Sequence, residues 1–218
     1  MGIIERRERE KEQRRINILD AAEEIFFSKG FSTATMDEVA ETAELSKGTL
    51  YLYFKSKEEL YYGIASRALS LLKEMFQKAV DRHKTGIEKV QAIGEAYYEY
   101  SQRYLNYFNM IIHYEMSQMD KIIPEGILLQ CHQLGREVMG VVAAAVAHGV
   151  QDGSMRRDLN PLRTAYLLQG LSTGIIQLIA REKGHIDQSE DFQAKDLMVD
   201  FMDMMYHAMQ PNGIKKGK

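Results

Sequence analysis

Fifteen residues from Ser46 to Leu60, SKGTLYLYFKSKEEL, carry lysine, threonine and tyrosine side chains at helical spacing. Lysine can pair with phosphate or with guanine acceptors, threonine offers a hydroxyl and a methyl group, and tyrosine can donate to phosphate. From Leu45 to Lys57 the chain has three lysines and no acidic residue. This pattern predicts a surface that contacts double-stranded DNA. The predicted DNA-binding residues are Thr35, Met36, Lys47, Gly48, Thr49, Tyr51, Tyr53 and Lys57.

Capping signals place most of these side chains on two short helices. Thr35 and Glu38 form a capping box, which predicts a helix over residues 36–43. Ser46 can cap a second helix over residues 47–53 after a tight turn. A helix, a tight turn and a helix is the arrangement that lets the second helix enter a major groove.

The third helix of this region is predicted to begin at Lys57, because Ser56 and Glu59 form another capping box. Its free backbone N–H groups and the charge of Lys57 suit an anion such as phosphate. Within the second helix, Lys47, Thr49 and Tyr51 are expected to contact base edges. A small apolar core is expected beneath it, built from Leu50, Phe54, Val39, Ala40, Ile25 and Phe26.

Residues 16–62 resemble the N-terminal domain of the TetR/AcrR family of bacterial transcriptional regulators. The resemblance rests on a first helix that ends in Lys-Gly-Phe at 29–31, on the Thr35 cap and on the run GTLYLYFKSKEEL at 48–60. It implies a dimeric regulator, most often a repressor that a small ligand releases from a palindromic operator. Similar proteins usually carry glycine where this chain has Glu44, in a turn that often needs a left-handed backbone.

Length and composition fit two domains. The chain has 218 residues, 45% of them apolar, and only three prolines, with little sign of strands. We predict an all-α protein with a helix-turn-helix domain over residues 1–56, a helical ligand-binding and dimerisation domain over 57–210, and a disordered tail over 211–218. Helices are predicted over 9–29, 36–43, 47–53, 57–82, 87–103, 106–119, 124–151, 161–182 and 190–209.

Charge and cysteine content narrow the class of protein. A net charge of −3 argues against a protein that coats nucleic acid without specificity. The single cysteine, Cys131, excludes an internal disulfide and suits a reducing compartment. The sequence shows neither a secretory signal nor a membrane span, so a cytoplasmic protein with no membrane partner is expected.

The first residues allow two interpretations. The run from Glu5 to Arg15 is densely charged with both signs, at spacings that form ion pairs along a helix. It can be a solvated extension of the first helix, or an arm that reaches into an adjacent minor groove.

The last two long helices carry apolar residues at helical spacing, which indicates a four-helix bundle shared between two subunits. A purely internal core is the alternative. The predicted homodimer contacts are Leu167, Gly170, Leu171, Gly174, Ile175, Leu178, Met198, Phe201, Met202 and Met205.

An aromatic stripe in the larger domain suggests a cavity for a small, largely apolar or aromatic effector. It depends on helical geometry continuing past a break near Leu105, and an ordinary aromatic core is the alternative. No cofactor or metal is expected. The predicted ligand-binding residues are Tyr97, Tyr100, Tyr104, Tyr107, Phe108, Met110, His113, Tyr114 and Gln169.

Other functions find less support. The chain has no His-Glu-x-x-His site, no glycine-rich phosphate loop and no nucleophile elbow, so an enzyme is not expected. A helical protein-interaction module remains an alternative, because the exposed lysines and tyrosines can also form a protein patch. Activation or corepression by the ligand is an alternative to release of a repressor.

Overall fold

The computed structural model of the protein describes residues 2–116, 125–188 and 192–211. These ranges contain helices and turns and no strand, which confirms the predicted all-α class. None of the helices in them is both long and apolar enough to cross a membrane. Of the predicted tail over 211–218, residues 212–218 lie outside the described residues. The helices are α1 Ile3–Lys29, α2 Met36–Thr42, α3 Lys47–Tyr53, α4 Lys57–Asp81, α5 Gly86–Arg103, α6 Leu105–Met116, α7 Glu125–Asp152, α8 Pro161–Ile186 and α9 Ala194–Met209.

The chain forms two compact units. The first comprises Met1–Leu69 and Asn109–Gln133, and the second comprises Ser70–Phe108 and Leu134–Lys218. Helices α4, α6 and α7 therefore each contribute residues to both units. The predicted division after residue 56 concerns function and stays a prediction.

The helix starts of the first unit follow from local hydrogen bonds. In the capping box of α2, the Glu38 N–H donates to Thr35 Oγ1 at 3.3 Å, and the Thr35 N–H donates to Glu38 Oε2 at 3.0 Å. The Thr49 N–H donates to Ser46 Oγ at 3.2 Å and starts α3. Both predicted caps are confirmed. The predicted core is buried in full: Ile25, Phe26, Val39, Ala40, Leu50 and Phe54.

The turn between α2 and α3 has a left-handed residue. Glu44 has φ 54°, a region that residues with a Cβ rarely adopt. The backbone still closes the turn, because the Leu45 N–H donates to the Ala40 carbonyl at 2.9 Å. Glu44 therefore adopts the left-handed backbone that the resemblance led us to expect here, at some cost in stability.

Glu44→Gly is expected to raise the free energy of unfolding by about 1 kcal/mol, since glycine adopts positive φ without the steric cost of a Cβ. Urea denaturation followed by circular dichroism measures the change. Glu41→Gly, an exposed position in the helical part of α2, is the matched control and should be destabilising. Equal destabilisation by both substitutions would show that Glu44 is not strained.

Helix α1 begins at Ile3, so the prediction of a start at residue 9 was wrong. Local pairs stabilise the extra turns: the Gly2 N–H donates to Glu5 Oε2 at 3.0 Å, and Arg6 Nε donates to Glu10 Oε1 at 2.7 Å. A helix with side chains is about 10–12 Å wide, and a minor groove is about 6 Å wide. In this form the first residues are a helix extension and do not fit into a minor groove.

The second unit is built around α5, α8 and α9. The backbones of α5 and α7 approach closely in this unit: a Cβ on Gly86 of α5 would lie 1.9 Å from the backbone nitrogen of Gly149 of α7. Helix α5 ends at Arg103, and Tyr104 has φ −122° and ψ 48°, which are not helical values. The predicted break is thus confirmed, and the aromatic stripe is divided between α5 and α6.

Candidate nucleic-acid interface

Helix α3 turns one face to its core and the opposite face outward. Leu50 and Phe54 are fully buried. Lys47 and Gly48 are exposed, and Thr49, Tyr51 and Tyr53 are half-buried around the outer surface. At the start of α2, Thr35 is exposed and Met36 is half-buried. All the predicted α3 contacts therefore lie on the accessible part of one short helix.

Leu52 was missed by the sequence analysis. Its exposed fraction is 76%, against 0% for Leu50. Because Leu50 and Phe54 are both buried and each residue turns a helix by about 100°, position 52 had to face away from the core. The spacing of the two core residues was the signal for it.

Lys47 is paired with a carboxylate on the same surface. Its Nζ lies 2.7 Å from Asp37 Oδ1, and both side chains are exposed. The hydrogen bond to Asp37 and the carboxylate's negative charge raise the pKa of Lys47 above its ordinary value. Exposed ion pairs of this kind are weak, so a phosphate can compete for the lysine.

Lys57 is engaged within its own unit. Its Nζ donates to the Ser32 carbonyl at 3.2 Å and to the Ala34 carbonyl at 3.0 Å, and it lies 4.6 Å from the centre of the Phe31 ring. The ammonium therefore holds the turn that leads into the Thr35 cap. The two carbonyls take two of the three N–H donors of an ammonium, so the predicted contact with phosphate can use the third.

Lys57→Met is expected to lower the free energy of unfolding by about 1–2 kcal/mol, because the apolar chain keeps its packing while the charged hydrogen bonds are lost. The slope of log affinity against log salt for DNA should fall by about one per protomer, because the substitution removes the predicted phosphate contact. Urea denaturation and salt titrations measure the two effects, and Lys84→Met, an exposed lysine of the second unit, is the control. Lower stability with an unchanged slope would show that Lys57 serves the fold alone, and unchanged stability with a reduced slope would show that it serves the phosphate contact alone.

The start of α4 also contacts α6 inside the first unit. The buried Tyr61 hydroxyl donates to the Met110 carbonyl at 2.9 Å, and its ring lies 5.0 Å from the Phe31 ring. Burial raises the pKa of Tyr61 well above its ordinary value, so the phenol stays a neutral donor. Part of α6 is thereby joined to the helices that carry the candidate DNA contacts.

The predicted ligand residues are distributed over both units. In the second unit, the buried Tyr97 ring lies 6.0 Å from Phe76 and 5.6 Å from Phe108, and its hydroxyl lies 2.9 Å from Thr173 Oγ1. Burial raises the pKa of Tyr100. Contacts between these rings fit both interpretations, a cavity for a ligand and an ordinary aromatic core. The rings of Tyr104 and Tyr107 stack with their centres 6.4 Å apart, and Gln169 is half-buried. Met110 belongs to the first unit. The side chains of His113 and Tyr114 lie outside the described residues.

Helix α8 has two apolar faces. Ile176 and Ile179 are buried, whereas Leu167 and Leu171 have exposed fractions of 64% and 46%. Gly170 and Gly174 are also exposed, and Ile175 and Leu178 are half-buried. A purely internal core does not account for this outer strip, whose exposed neighbours also include Leu162 and Tyr166.

Helix α9 differs from the prediction at one residue. Met198 has an exposed fraction of 3%, so it belongs to the core of the second unit, and the prediction that it lies at a dimer contact is corrected. Phe201, Met202 and Met205 are half-buried. The large apolar side chains of α9 that are exposed are Val199 and Met204, which the prediction omitted.

Comparison with known proteins identifies similar regulators. Residues 18–62 match the family described as bacterial regulatory proteins, tetR family. The HTH-type transcriptional regulator YhgD of Bacillus subtilis is 27% identical over 160 residues, which is 73% of this chain and 80% of YhgD. QacR of Staphylococcus aureus, also an HTH-type transcriptional regulator, is 36% identical over 78 residues, 36% of this chain and 42% of QacR.

The similarity extends to the fold of most of the chain. The transcriptional regulator FadR from Bacillus subtilis, solved in complex with stearoyl-CoA, superposes with a TM-score of 0.69. The match covers 89% of this chain and 99% of FadR at 16% sequence identity. At that identity the match establishes a shared fold.

Proposed function

Through its residues 18–62 the chain belongs to the tetR family of bacterial DNA-binding transcriptional regulators, and from this premise we propose that it is a homodimeric repressor of a palindromic operator. The observation that carries the proposal is the outer face of α3, where Lys47, Thr49 and Tyr51 are accessible above a fully buried core. A short helix on a rigid core, with hydrogen-bonding side chains directed outward, is the geometry that reads a major groove.

One α3 helix reads only a few base pairs, so dimerisation is part of the proposal. The outer strip of α8, which includes Leu167 and Leu171, leaves apolar surface that a second copy would bury. Two copies related by a twofold axis would present two α3 helices to half-sites about 34–36 Å apart, one turn of the duplex.

We further propose that a largely apolar effector controls DNA affinity. The support is the aromatic cluster of the second unit around Tyr97 and Tyr100, together with the apolar acyl chain of the stearoyl-CoA bound to FadR, a protein of the same fold. The effector changes DNA affinity only if it binds the two conformations of the dimer unequally. Helix α4 offers a route, because it contributes residues to both units.

Selection of bound fragments from a random duplex library tests the function. The proposal expects a palindromic consensus in the absence of any effector, and binding that weakens steeply with salt. A consensus that appears only when a small molecule is added would show that the effector acts as a corepressor and does not release the protein from DNA. Enrichment of no sequence under either condition would contradict the proposed function.

A further inference from the structure

We propose that Leu52 determines specificity by contacting the C5-methyl group of a thymine in each half-site. The inference rests on the proposed function, because it requires α3 to lie in a major groove. It adds a residue outside the set that the sequence pattern predicted, and it commits that residue to one base.

Leu52 lies on the face of α3 that points away from the core. Its side chain is 76% exposed, and it lies opposite the buried Leu50 and Phe54. On the same face, one turn earlier, Gly48 has no side chain, and a Cβ placed there would meet only Ser46 Oγ, at 4.0 Å. Leu52 is therefore the large apolar side chain of α3 that is exposed, with open space beside it at Gly48.

The chemistry of the major groove selects the base that Leu52 can contact. Leucine has no donor or acceptor, so it cannot pair with the polar edges of guanine, adenine or cytosine. Placed against those edges it would remove water from them without replacing the lost hydrogen bonds. The thymine methyl is the one apolar group that the major groove presents, and contact with it removes both surfaces from water.

The folding requirements of α3 do not explain Leu52. The helix is anchored by Leu50 and Phe54 and started by the Ser46 cap, and none of these needs an exposed leucine at position 52. An exposed leucine next to lysine and tyrosine side chains is instead what a contact surface with mixed polar and apolar partners contains.

Deoxyuridine in place of each thymine of the selected operator tests the contact, because it removes only the methyl group. At one symmetric pair of positions the affinity is expected to fall about fourfold per methyl and about 15-fold for both, the loss that corresponds to one buried carbon in each half-site. In Leu52→Ala the same replacement should have no effect. Fluorescence anisotropy gives the affinities of wild-type and Leu52→Ala protein for both duplexes, and these four values form a double-mutant cycle.

Two controls separate this inference from its premise. Lys47→Ala should keep the sensitivity to deoxyuridine although it binds more weakly, and Leu52→Ala should keep the thermal stability of the wild type because the side chain is exposed. Operator binding in which no thymine methyl depends on Leu52 would overturn the inference and leave the proposed function intact. Failure of the wild type to bind any duplex would overturn both.

Discussion

A variant with both Leu167→Glu and Leu171→Glu is expected to bind the palindromic operator at least about 100-fold more weakly than the wild type. The two leucines are exposed on the outer strip of α8, and a carboxylate at each position would have to be buried without a partner in a dimer. A monomer loses the second half-site, and linking two binding events is worth about 10²–10⁴ in affinity. Anisotropy titration measures the loss, and sedimentation velocity measures the change from dimer to monomer.

The fold of each protomer should survive this change, because surface substitutions usually alter stability by less than about 0.5 kcal/mol. Leu105→Glu, at an exposed leucine of α6, is the matched control and should remain dimeric with full affinity. Affinity for an isolated half-site should be equal in all three proteins. A double variant that sediments as a dimer would place the interface elsewhere.

Tyr51→Ala is expected to weaken operator binding by about 30-fold or more while leaving binding to unrelated DNA nearly unchanged. Each lost base-edge contact costs about 1–3 kcal/mol, and a dimer loses two. Binding to unrelated sequences depends on charge, which this substitution does not alter. Competition titrations with operator and scrambled duplexes give the two affinities.

Two further variants sharpen the result for Tyr51. Tyr51→Phe separates the hydroxyl from the ring, and Tyr98→Ala removes a tyrosine of similar exposure from α5. Tyr98→Ala should leave the ratio of specific to unspecific affinity unchanged. If Tyr51→Ala weakens both affinities equally, the residue contributes to the fold or to phosphate contact, and base readout by it is excluded.

The features that could be predicted from the sequence are those with local causes. Thr35 and Ser46 each accept a hydrogen bond from an N–H three residues later, so residue type and spacing alone located the starts of α2 and α3. The buried Leu50 and Phe54 followed from helical periodicity, whereas the left-handed backbone at Glu44 was expected only because similar proteins carry glycine there.

The features that were missed depend on tertiary partners. Lys57 finds carbonyl acceptors at Ser32 and Ala34, which are far away in sequence, so its engagement could not be read from its neighbours. Met198 faces inward because α9 packs on α5 and α8, and the sequence of an apolar helix does not say which side is covered. The early start of α1 is the exception, because the Arg6–Glu10 pair is local, and the same charged sequence also suits an extended arm.

Titration of the selected palindrome, of a single half-site and of a scrambled duplex at physiological salt tests the central claim most directly. A dimer that reads DNA through two α3 helices should bind the palindrome at a ratio of two protomers per duplex, about 10³-fold or more tighter than the scrambled duplex, with the half-site far weaker than the palindrome. Equal affinity for the palindrome and the scrambled duplex would contradict sequence-specific regulation by this protein.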